Sequence, residues 1–168
     1  NTAVDARHAS ARTRRMTTLL EDFRPLLDAA VGIAVDDPAR ACAELTRRLD
    51  PTSPAARALN AKLLARLNAG EIANRGALPV KYGRVCKASP ETNDFSIDVV
   101  HMNGAGPQHR HPAGEINWCV TLDGAPTFMG RPAGWVVEPP GSQHVPTVAD
   151  GTMLIVYLLP QGKIEFQA

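Results

Sequence analysis

The chain has 168 residues, with 18 Lys and Arg against 17 Asp and Glu, for a net charge of +1. That balance argues against a nucleic-acid groove, which needs a concentrated basic face. The 44% hydrophobic content fits a soluble chain of one domain, or one domain with a small accessory unit, able to bury a core without staples.

Residues 1–15 hold four Arg and one Asp, so the basic bias sits at the start and the remainder is slightly acidic. This Arg-rich start could imitate an organelle transit peptide, but its small polar residues read as a flexible tail, with Met16 resembling an internal start. From residue 16 to 76 the pattern is helical. Leu19, Leu20, Phe23, Leu26, Leu27, Ala30 and Val31 recur at three and four and form one apolar stripe. Pro25 interrupts it and should kink the helix or mark its first turn. Glu21, Asp22, Arg24 and Asp28 exclude a signal-peptide core, and no apolar run approaches the roughly 20 residues that cross a bilayer. Asp36-Asp37-Pro38 is a helix start, followed by Cys42, Leu45 and Leu49 on one side. Ser53-Pro54 repeats the signal before Leu59, Leu63, Leu64 and Leu67, and Gly70 is a helix stop. All three stripes read as packing surface.

After Gly76 the texture changes. Fourteen Pro and 13 Gly are too many for a pure helix bundle. Short runs of β-branched and aromatic residues alternate with turn clusters, predicting strands near 80–87, 95–102, 108–111, 115–122, 126–129, 134–138, 144–149, 152–159 and 163–167. Strands this short point to a sandwich or barrel over residues 77–168. The stretch 152–159 is apolar on both faces and should be central. Cys42, Cys86 and Cys119 are widely spaced, without a CxxC pair, so they form neither a disulfide framework nor a zinc ribbon. They indicate a reducing compartment, read as cytoplasmic.

Four of the five histidines fall after residue 100. His109 and His111 are two apart, so on a strand they share a face and can share one metal ion. The Pro112-Ala113-Gly114 turn lets Glu115 return to that face. The Pro139-Pro140-Gly141 turn then presents His144 at the start of another strand. Three imidazoles and one carboxylate suit a divalent transition ion, Fe, Mn, Zn, Ni or Co, with positions left open for water or substrate. The donor types do not choose among these metals. No Gly-rich dinucleotide fingerprint is present.

Together these residues resemble the cupin superfamily, whose first motif reads about G(x)5HxH(x)3–4E(x)6G and second G(x)5PxGxxH(x)3N. His109, His111 and Glu115 carry the first, with Gly124 later than the pattern. Gly134, Pro139, Gly141 and His144 carry the second, with Val148 where Asn is common. The departures affect turns rather than ligands. The resemblance implies an α+β chain: an N-terminal helical segment packed on a C-terminal small cupin (double-stranded β-helix) barrel. A helical start followed by one small cupin, with HRHPAGEINWCVTLDG and GWVVEPPGSQHVPTV, is more closely similar to the 4-hydroxylaminobenzoate lyase family.

That resemblance implies a carbon–nitrogen lyase converting 4-hydroxylaminobenzoate to 3,4-dihydroxybenzoate (protocatechuate) and ammonia in nitrobenzoate degradation. The implied reaction requires neither NAD nor flavin. A cupin dioxygenase on an aromatic acid, a sugar- or keto-acid isomerase or lyase, and a non-catalytic ligand sensor are the alternatives. Under the lyase reading the metal ligands are His109, His111, Glu115 and His144, and Glu115 is either a ligand or a proton shuttle. By strand parity Asn117 and Cys119 share the Glu115 face. Asn117 is a candidate substrate contact, and Cys119 reads as a buried apolar residue. Tyr157 either places an acidic hydroxyl in the barrel or packs in the core. The aromatic carboxylate of the substrate requires a cation, for which Lys81, Arg84 and Arg131 are the candidates. Trp118 and Trp135 read as core or interface, and His101 as packing or support for the ligands. The expected partners are this small aromatic substrate and a second copy in a homodimer, with neither nucleic acid nor membrane.

Overall fold

The structure is a computed structural model and describes residues 2–167. Three helices lead: α1 (Thr2–Ala30), α2 (Pro38–Arg48) and α3 (Pro54–Asn68). The start signals work as their chemistry requires. Asp37 caps α2 by accepting from the Arg40 backbone N–H, and Ser53 caps α3 by accepting from that of Ala56. Gly70 follows α3 with φ +70° and donates its N–H to Leu67 O, ending the helix.

Residues 2–15 are not an irregular tail. They are the first half of α1, which also runs through Pro25; residue 1 lies outside the described residues. Ala and Arg are strong helix formers, and Thr13, Thr17 and Thr18 return their hydroxyls to carbonyls four residues back. Residues 4–18 are nevertheless exposed, and Arg15 reaches the body through a 3.0 Å ion pair with Glu71.

Among the described residues nine strands follow: β1 (Arg75–Ala77), β2 (Val80–Cys86), β3 (Phe95–Met102), β4 (His109–His111), β5 (Glu115–Phe128), β6 (Gly134–Glu138), β7 (Ser142–His144), β8 (Val148–Pro160) and β9 (Glu165–Phe166). They form a six-stranded sheet, β1-β2-β3-β8-β5-β6, and a three-stranded sheet, β7-β4-β9, antiparallel throughout. The β portion thus starts before residue 77, at Arg75. The predicted strands at 115–122 and 126–129 are one strand, carried across Thr121–Thr127 by two register shifts.

The strand predicted to be central is β8, paired to β3 on one side and β5 on the other. Its two faces serve two cores. Leu154, Val156 and Leu158 join the cluster containing helical Phe23, Leu26, Leu27, Leu45 and Leu63. Met153, Ile155, Tyr157 and Leu159 join Met102, Cys119, Phe128 and Val136 on the inner face. The expected α+β architecture, helices packed on a small two-sheet barrel, is therefore what the chain adopts. Trp118 and Trp135 tie the layers together: they meet edge-on with ring centroids 4.8 Å apart. Their indole N–H groups donate to Asn60 Oδ1 on α3 (2.8 Å) and to Leu49 O after α2 (2.9 Å). Among the described residues no helix is long and apolar enough to cross a membrane.

Candidate metal centre

Alternation along β4 turns His109 and His111 inward and leaves Arg110 outside, ion-paired to Glu165. In the β4–β7 ladder His109 lies opposite His144, and His111 opposite Ser142. Two glycine turns complete the arrangement. Gly114 (φ +82°) and Gly141 (φ +81°) both occupy the left-handed region, and both donate their N–H to the carbonyl of His111, at 3.2 and 2.8 Å. The first turn swings Glu115 back toward the histidines at the head of β5; the second delivers His144.

One ligand atom from each of His109, His111, Glu115 and His144 lies within 4.8 Å of every other. His144 Nε2 is 3.0 Å from His109 Nε2 and 3.2 Å from His111 Nε2. Glu115 Oε2 is 2.7 Å from His111 Nε2, and Oε1 is 3.8 Å from His144 Nε2. The Glu115 side chain is fully buried, and Oε2 has no hydrogen-bond partner among the described residues. A buried carboxylate oxygen facing three imidazole nitrogens is costly unless a cation shares the space. Nitrogens about 3 Å apart also fit ligands each about 2.0–2.1 Å from one ion. The residues present therefore fit a divalent transition metal.

Their protonation agrees. Burial, helped by His111 and His144, holds His109 down to about 4, and burial also lowers His144. Both rings are neutral at pH 7, the form that ligates. Pro107 O sits 3.0 Å from His109 Nδ1 and accepts a hydrogen bond from its N–H, leaving the Nε2 lone pair free.

Beside this centre is a cavity of about 560 Å³ enclosed by β2, β3, β8 and the smaller sheet, within the range of small-molecule sites. His109 opens onto it, with Phe166 edge-on to the imidazole at 5.7 Å. The walls are largely apolar, including Val80, Val100, Met102 and Leu159. Tyr157 also lines it; burial and then the Glu115 charge raise its pKa well above the ordinary value, so its hydroxyl keeps its proton.

The other residues singled out from the sequence divide. Arg84 lines the cavity, but its Nε and Nη2 are engaged by Asp98 at 2.8 and 3.2 Å. Lys81 does not line it, because Val80, Tyr82 and Arg84 occupy the inward face of β2 and Lys81 alternates away. Arg131 is also absent from the lining and is ion-paired to Glu138. Asn117 is buried and faces the centre, but not the cavity: its Nδ2 donates to Glu115 Oε1 at 2.7 Å. Cys119 is buried, and burial raises its thiol pKa so that it stays protonated and inert. His101 lies outside the cluster. The sequence reading missed Arg75, which lines the cavity from β1. Its one sequence signal is its place where the helical pattern gives way to strands.

A family model described as "PnbB: 4-hydroxylaminobenzoate lyase" matches residues 30–166, taking in both later helices and all four residues of the cluster. The chain belongs to this family. Two curated 4-hydroxylaminobenzoate lyases are similar to it. That of Pseudomonas putida is 36% identical over 103 residues, covering 51% of this chain and 58% of that protein. That of Nocardioides sp. (strain LMS-CY) is 33% identical over 91 residues, covering 49% and 54%. The chain thus spans somewhat over half the length of these lyases. Among solved structures, an RmlC-like cupin protein from Ralstonia eutropha JMP134 aligns with TM-score 0.40 and 15% identity over 55% of this chain and 62% of that one. An oxalate oxidase in complex with the substrate analogue glycolate aligns with TM-score 0.39 and 18% identity over 54% and 56%.

Proposed function

We propose that this chain is a metal-dependent 4-hydroxylaminobenzoate lyase, yielding 3,4-dihydroxybenzoate and ammonia in nitrobenzoate degradation. The observation that carries the reading is the buried convergence of His109, His111, Glu115 and His144 beside an apolar cavity with room for an aromatic ring. The family match and both curated lyases support it.

The balance is one substrate and one water giving catechol acid and ammonia. The N–O bond is the oxidant: its cleavage takes up the electron pair that the ring gives up on hydroxylation. Net loss of the C–N bond releases the nitrogen. A divalent ion, when bound, supplies Lewis acidity for heterolysis of the N–O bond.

The chain's own groups do the rest. His109, His111 and His144 would hold the ion through Nε2, and Glu115 would hold it through a carboxylate oxygen. Val100, Met102 and Leu159 receive the ring and exclude water from its face. Tyr157 keeps its hydroxyl proton available to the leaving oxygen. Asn117 orients Glu115. The working unit in this proposal is a cytoplasmic homodimer.

The test is anaerobic incubation of metal-analysed protein with 4-hydroxylaminobenzoate, followed by quantitation of both products. Equal yields of catechol acid and ammonia are expected. Turnover that requires dioxygen, or none at all, would refute the assignment.

A further inference from the structure

Resting on that reading of the cavity, we propose that Arg75 is the residue that selects carboxylate-bearing arylhydroxylamines, by binding the substrate carboxylate at the cavity mouth. Two guanidinium groups line the cavity, Arg75 and Arg84, and Asp98 is the one carboxylate among its described lining residues. Asp98 holds Arg84 through both carboxylate oxygens and also accepts from Ser96 Oγ at 2.8 Å. The Arg84–Asp98 pair is therefore neutral as a unit. Arg75 has no ion pair or side-chain hydrogen bond among the described residues, and so supplies the uncompensated positive charge of the cavity wall.

The backbone fixes where that charge is presented. Arg75 lies opposite Tyr82 in the β1–β2 ladder. Asn74, just before it, is anchored by its side-chain amide to Gly70 O at 3.1 Å. Gly76, just after it, lies under the Tyr82 ring so closely that a Cβ there would come within 3.2 Å of a ring carbon. Tyr82 itself lines the cavity. An exposed arginine on a fixed strand, beside an aromatic ring and at the edge of an apolar cavity, suits a carboxylate on a flat ring. The guanidinium fork takes both oxygens, and the ring continues into the apolar interior toward His109. Lys81 and Arg131 cannot take this role from where they lie, and Arg84 would have to leave Asp98.

The experiment measures binding of 4-aminobenzoate, an unreactive carboxylate, and of aniline, which lacks the carboxylate. Both are titrated calorimetrically into the metal-loaded wild type, Arg75→Ala and Arg75→Lys, with a thermal melt of each variant. Arg75→Ala should weaken 4-aminobenzoate binding about ten- to a hundredfold, the range for lost hydrogen bonds to a charged group, and leave aniline unchanged. Arg75→Lys should recover part of the loss. If Arg75→Ala does not fold, Arg75→Gln makes the same comparison with the stem retained. An unchanged 4-aminobenzoate Kd, an equal loss for both ligands, or wild type that fails to prefer 4-aminobenzoate would overturn the proposal. Turnover of 4-hydroxylaminobenzoate is assayed in parallel. Arg75-dependent binding without turnover would sink the lyase reading and leave the carboxylate site standing.

Discussion

Asn117→Leu isolates the link between protein architecture and metal affinity. Asn117 Nδ2 gives Glu115 Oε1 its one side-chain hydrogen bond, 2.7 Å long and fully buried, while Asn117 Oδ1 has no partner among the described residues. Leucine has the same branching and number of side-chain heavy atoms, is bulkier at its two methyls, and cannot donate. A hydrogen bond to a charged group is worth about 1.5–3 kcal/mol. At about 1.4 kcal/mol per factor of ten, its loss weakens metal binding roughly ten- to a hundredfold, the range seen when groups supporting metal ligands are removed. Stability of the metal-free protein should change much less. The substitution deprives Glu115 Oε1 of a donor but also removes the unpaired Oδ1 from the interior, and these effects oppose each other. The assay is a competition titration of Zn(II) against a chromophoric chelator, with urea unfolding of the metal-free protein alongside. Affinity within twofold of wild type, in a folded variant, would refute the claim that Asn117 positions Glu115.

His109→Ala should abolish metal retention and turnover together, checked by elemental analysis and product assay on one preparation. Gly114→Ala should destabilise the fold by at least about 1–2 kcal/mol from the left-handed backbone alone. Its Cβ would also lie 2.8 Å from Val35 Cγ2 and 2.9 Å from Glu138 O, so the thermal midpoint and metal stoichiometry should fall together. Hydrogen bonds from Arg47 and Arg48 hold the Glu44 pKa down to about 2. This depressed carboxylate adds stability that is present above its unfolded value near 4.5 and lost as pH falls toward 2. Glu44→Gln should therefore narrow its stability gap to wild type over that window, read by urea unfolding at successive pH values.

The clustered histidines and glutamate were legible because their geometry is local. Two residues apart on a strand means one face, and a glycine turn returns the next residue to it, so His109, His111 and Glu115 follow from a short segment. Asp37 and Ser53 likewise announced α2 and α3 through capping chemistry that needs no tertiary context. Residues 2–15 were misread because small polar residues suggest a tail, while their Ala and Arg content sustains helix even without burial. The unpaired arginine of the cavity wall, Arg75, was hidden for a different reason. Whether an arginine is available depends on which acid the fold sets against it: Asp98 reaches Arg84 through the β2–β3 pairing, and Glu138, on β6, reaches back to Arg131 in the turn that precedes that strand. Lys81 was lost to parity, since nothing in the sequence of β2 says which of its alternating faces turns inward.

The two faces of β8 have an evolutionary consequence. Leu154, Val156 and Leu158 anchor the helices, while Met153, Ile155, Tyr157 and Leu159 look toward the barrel interior. A lineage can remodel the odd-numbered positions to accept a new molecule while the even-numbered ones keep the scaffold upright. Innovation and durability are thus written in alternating letters of a single strand.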